Sequence, residues 1–122
     1  MSVHSQLDNA SKYGVTKYIA TGRRLLGEIA ALNGDHNTAE DELTRSLEPF
    51  AAHPMPLIEW RHHAALARLL ASCRRPAAAR DAFGRAEALV QGLAASINDP
   101  ALRDMFLQIR SVREVLARAA AT

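Results

Sequence analysis

The residues with the most chemical potential in this 122-residue chain crowd into one stretch, Glu59-x-x-His62-His63. On a helix, that spacing holds a carboxylate and two imidazoles within one turn, and a Glu-x-x-His pair supplies metal ligands in some helical bundles. Those bundles need a second such pair and further carboxylates on facing helices. The sequence offers neither, and it lacks the His-Glu-x-x-His order of zinc peptidases. No metal and no cofactor are expected. His63 precedes Ala67 by one turn on the same face, so at least one imidazole reads as a packing residue. His36 falls in a turn and His53 among prolines, where a surface imidazole is the default.

Nucleophilic chemistry has as little support. Cys73 sits beside Arg74 and Arg75, whose charge favours a thiolate, but a helix C-terminus opposes one and no base can be assigned. The cysteine falls on a stripe with Leu66, Leu69 and Leu70 and reads as structural. Ser96, Ser111 and the two tyrosines have no surrounding motif. Gly22 and Gly27 are not followed by the Lys-Ser/Thr of a phosphate loop. No catalytic residue is expected, and a metal-dependent helical enzyme is the most remote alternative.

Composition points the same way. Fifteen Lys and Arg against thirteen Asp and Glu give a net charge of +2, too small an imbalance for a nucleic-acid surface. Runs of non-glycine apolar residues such as Ile29-Ala30-Ala31-Leu32 stop at four, far short of a membrane span. Met1 to Gln6 carries neither a basic start nor an apolar core, so no signal peptide is expected. One cysteine agrees with a reducing compartment, and the expected location is the cytoplasm.

The elements that must position these groups are helices. From Val15 the apolar positions run Tyr18, Ile19, Gly22, Leu26, Ile29 and Ala30, the three-and-four spacing of an amphipathic helix that stops at Asn33-Gly34. Asp35 caps a second helix whose stripe is Ala39, Leu43, Leu47 and Phe50, ending between Glu48 and Ala52 under Pro49, Pro54 and Pro56. A third runs from about Leu57 to Cys73. A fourth opens at Pro76, with its stripe from Ala79 to Ile97. After Asn98-Asp99-Pro100, Leu102 to Leu116 form one helix, or two meeting near Arg110. Ala supplies about a fifth of the chain and favours close helix contacts. The fold class is all-α.

Helix pairs one-two and three-four repeat at an offset of forty residues. Leu26-Gly27, Ala39-x3-Leu43 and Ser46 return as Leu66-Ala67, Ala79-x3-Phe83 and Ala86. Small residues where two helices approach, bulky ones beside them and Gly-Asp in the first turn resemble the tetratricopeptide repeat. The resemblance covers roughly residues 15 to 98. Arg23 replaces the pattern's Trp, Ala30 and Leu70 its Tyr, Arg74-Arg75 the second Gly-Asp, and the period exceeds the usual thirty-four or so. Tyr18 to Gly27, Gly34-Asp35 to Leu47, Leu57-Ile58-Glu59-Trp60-Arg61, and Ala94 to Leu107 with Val112-Arg113 resemble the C-terminal repeats of cyclase-linked and LuxR-type bacterial signalling ATPases.

That resemblance implies an antiparallel helix-turn-helix solenoid: a polar segment over 1–14 left from a preceding repeat, repeats over 15–54 and 55–98, and a capping helix or helices over 99–122. It also implies that the first helix of each pair lines a concave groove. Thr21, Arg24 and Glu28 with Arg61, Ala64 and Arg68 would form it, the arginines receiving an acidic or C-terminal peptide. Alternatively, these arginines pair internally with Glu28 and Glu59 or are solvated. The expected function is a protein-protein interaction module of a signalling or transcriptional regulator, with a protein or peptide partner and no nucleic acid or membrane. The alternative is a self-associating structural module. Val3, Leu7 and Tyr13 offer little cover for the N-terminal helices, so Tyr18, Leu25, Leu32 and Phe50 are expected to stay exposed, giving a homodimer packed through those helices.

Overall fold

The computed structural model describes residues 3–121 of the chain, and the side chains of residues 14–121. Val3, Leu7 and Tyr13, to which the sequence assigns shielding, therefore have side chains outside the described residues. The elements are α1 (Val3–Leu32), α2 (His36–Leu47), α3 (Pro49–Ala52), α4 (Pro56–Ser72), α5 (Pro76–Ser96), α6 (Pro100–Gln108) and α7 (Arg110–Ala120). No strand occurs among the described residues, and none of their helices is long and apolar enough to cross a membrane. The chain divides into two compact units, Met1–Met55 and Pro56–Thr122.

In the first unit α1 packs along α2, and α3 lies against both. The helix begins at Val3, twelve residues before the apolar periodicity starts at Val15. No proline interrupts that stretch, and Gly14 alone costs a helix only about 1 kcal/mol. Gly34, at φ +80°, closes α1 with paired hydrogen bonds, Asp35 N–H to Ala30 O and Gly34 N–H to Ala31 O. This is the Schellman arrangement, which needs a left-handed residue. The Asp35 carboxylate then accepts from Thr38 N–H at 3.2 Å and caps α2.

The inner face of α1 is made of small residues. Thr16, Ala20 and Ala30 are buried, and a Cβ on Gly27 would come 2.7 Å from Leu43 Cγ and 3.1 Å from Ala39 O. Glycine is therefore required where the two helices cross. Opposite it, Ala39, Leu43 and Ser46 complete the interior, with the Ser46 hydroxyl satisfied by Leu43 O at 2.6 Å. Phe50, expected to be exposed, is 4% exposed. Pro49 restarts the backbone as the short turn α3, and that turn lies against α1.

The second unit is the hairpin α4–α5 closed by α6 and α7. Its core joins Trp60, Ala64, Ala86, Val90, Val112 and Val115, with a second cluster of Ala67, Leu70, Ala79, Ala82 and Phe83 toward the turn. That turn repeats the first bond for bond at a displacement of forty residues: Cys73 N–H to Leu69 O, Arg74 N–H to Ala71 O, Arg75 N–H to Leu70 O. Arg74 takes the left-handed place of Gly34, at φ 59°.

The segment after Pro100 is two helices. Ile109, at ψ 131°, breaks the run between α6 and α7. Asp99 caps α6 by accepting from Ala101 N–H at 2.8 Å and Leu102 N–H at 3.3 Å. The Arg103 guanidinium ties the connection by donating twice to Ile97 O, at 3.1 and 2.7 Å.

Candidate functional site

On α4, the Glu59-x-x-His62-His63 stretch turns inward. His62 is 1% exposed and His63 8%, so both imidazoles are interior. His63 Nε2 lies 3.2 Å from Glu59 Oε2. Burial holds the His63 pKa below its ordinary value, and outweighs the Glu59 hydrogen bond and charge that favour the imidazolium; Arg85 adds to the lowering. Among the described residues no three His, Cys, Asp or Glu side chains cluster as a metal would require. Cys73 is half-buried at the end of the hairpin.

The six residues assigned to a groove have different fates. In the first unit, Thr21 is half-buried and Arg24 forms an ion pair with Glu28 one turn later along α1. In the second, Arg61 stands over the Trp60 ring at 5.3 Å from its centroid. Arg68 pairs with Glu114 of α7 at 3.1 Å, a partner forty-six residues away that no spacing rule could pick out. Ala64 is 1% exposed and belongs to the core. It lies one turn from both Trp60 and Ala67 on the inner stripe of α4, so it cannot line a groove. Glu59, offered as a partner for the arginines, is the partner of His63.

In the first unit, Arg23 donates to Glu42 across to α2 at 3.2 Å. A position that the repeat pattern fills with Trp is thus filled by the apolar stem and charged head of an arginine. In the second unit a shallow cavity of about 320 Å³ is lined by Ala71, Pro76, Ala79, Arg80, Phe83 and Arg118. The Arg118 guanidinium covers Phe83 at 4.9 Å. Two cations over alanine and a ring offer no nucleophile and no acid-base pair.

On the outer side of α1, Tyr18, Leu25 and Leu32 are exposed, as expected. Tyr18 is 77% exposed, Leu32 88%, Leu26 57% and Val15 55%, with Ile19, Leu25 and Ile29 near half. Of the apolar positions that give α1 its helical periodicity, Val15, Tyr18, Ile19, Leu26 and Ile29 are exposed and Ala30 is buried. Monomers tolerate single apolar side chains at the surface, whereas here the exposed apolar side chains form a contiguous stripe. The buried face carries its own signal in the sequence: Thr16, Ala20, Gly27 and Ala30 share the opposite helix face, and small residues admit a close neighbour.

No protein-family model matches the chain, and no curated protein or solved structure is significantly similar to it.

Proposed function

We propose that the chain is a non-catalytic interaction module of tetratricopeptide-like helix pairs, serving a bacterial signalling or transcriptional regulator in the cytoplasm, and that the outer face of α1 is its contact surface. The observation that carries this reading is the apolar stripe from Val15 to Leu32, exposed on a helix whose other face already packs. Burial of such a stripe in a partner is the favourable term that a helix-packing interaction uses. The repeat component is supported by the forty-residue offset in the sequence and by two hairpin turns with matching hydrogen bonds. The regulator component rests on the resemblance of the repeat phrases.

The arginine set has weaker support than the α1 face. Arg24 and Arg68 already have carboxylate partners, and Ala64 is interior.

The test is the native size of the protein in a gentle lysate of cells that produce it. The wild-type chain is expected to elute well above the size of one free chain. Leu25→Lys/Leu32→Lys should elute as the free chain while keeping its helical circular dichroism, because substitutions at exposed positions usually change stability by under about 0.5 kcal/mol. Wild-type protein eluting as a free chain would contradict the proposal.

A further inference from the structure

We propose that the occupant of the α1 face is a second copy of this chain, packed antiparallel along residues 15–32; this deepens the interaction reading above and rests on it. Val15, Gly22 and Ile29 occupy one position of a heptad, and Tyr18, Leu25 and Leu32 the other. That alternation of three and four is the seam of a two-helix coil. The stripe runs from Val15 to Leu32, where α1 ends, and one antiparallel register overlaps it in full.

In that register the stripe is complementary to itself. Centred between Arg23 and Arg24, Val15 meets Leu32 of the second copy, Tyr18 meets Ile29, and Gly22 meets Leu25. The one gap in the stripe therefore faces a leucine, twice over by symmetry, and a Cβ at Gly22 has nothing within 4 Å in the single chain. Ile19 and Leu26, both about half exposed, border one side of the seam and meet each other across the two-fold axis. On the other border Glu28, which already pairs with Arg24 of its own chain, comes beside Lys17 of the second copy. A parallel pair would set Gly22 against Gly22 and leave a void. It would also hold Lys17 about 16 Å along the axis from Glu28 of the second copy.

Seven large apolar side chains of this one helix face, Val15 to Leu32, are about half or more exposed, a contiguous patch rather than the scattered single side chains that monomers ordinarily show.

The test uses the full chain with Cys73→Ser, carrying either Val15→Cys or Leu32→Cys. On oxidation, the mixture of the two is expected to give a covalent dimer and each alone little, because identical positions lie about 25 Å apart along the axis of an antiparallel pair. Dimers in the separate samples would overturn the antiparallel register; no dimer in any sample would overturn the second copy as partner. Gly22→Glu in the otherwise native chain keeps the proposal falsifiable without a disulfide. Its light-scattering mass should fall from two chains to one with helical circular dichroism retained, since the new side chain meets open space in the monomer. A native chain of single-chain mass that still runs in a large complex in the lysate overturns the second copy alone. A free chain in both experiments removes the interaction reading as well.

Discussion

His63 shows how far burial governs a single side chain here. Its side chain is 10% exposed, and burial outweighs the Glu59 carboxylate at 3.2 Å, so the pKa stays below its ordinary value. In the unfolded chain the imidazole regains a pKa of about 6.5. The unfolded state then binds the proton first as pH falls, and stability is lost on acidification from about pH 6.5 downward through the lower folded value. His63→Gln should flatten that acid limb of the melting temperature below about pH 6.5 relative to wild type. An unchanged limb would show that His63 is not the group responsible. The sequence placed both imidazoles on a helix next to an inner stripe, and the absence of a second ligand motif weighed against metal. It could not say that both turn inward, because the depth of a helix face depends on what α5 and α7 bring against it.

At the scale of elements, the two hairpin turns use one geometry with different residues. Gly34 and Arg74 each take the left-handed position, yet only glycine does so without a Cβ penalty of roughly 1–2 kcal/mol. Arg74→Gly should therefore stabilise the chain by about 1 kcal/mol, after allowing for the backbone entropy that glycine loses on folding. Gly34→Ala should destabilise it by a similar amount. Urea midpoints with unchanged slopes measure both, and a destabilised Arg74→Gly would refute the strain account. Helix ends were the most legible part of this fold. Asn33-Gly34-Asp35, Pro76 and Asp99-Pro100 each carry local chemistry that stops, starts or caps a helix whatever packs around it. The face that α1 buries was not legible from hydropathy, because the choice was made by closeness. Gly27 and Ala20 let α2 approach where Ile19, Leu26 and Ile29 would have held it off. The Arg68–Glu114 pair was hidden for a related reason, since α7 had to be placed before the two could meet.

For the whole molecule, the pattern is two compact units with small-residue helix crossings and one helix whose bulky apolar side remains outside. Hydrophobic side chains that a fold leaves exposed over some 26 Å of helix, by the 1.5 Å rise of about seventeen steps, serve association better than they serve the single chain. The most direct measurement is site-resolved photo-cross-linking of the full chain in the cells that produce it, with a benzophenone amino acid placed at Tyr18, at Leu32 or at the exposed Asp81 of α5. The account predicts strong protein adducts from Tyr18 and Leu32, at twice the mass of the chain, and little from Asp81. Adducts from Asp81 with none from either α1 position would contradict it.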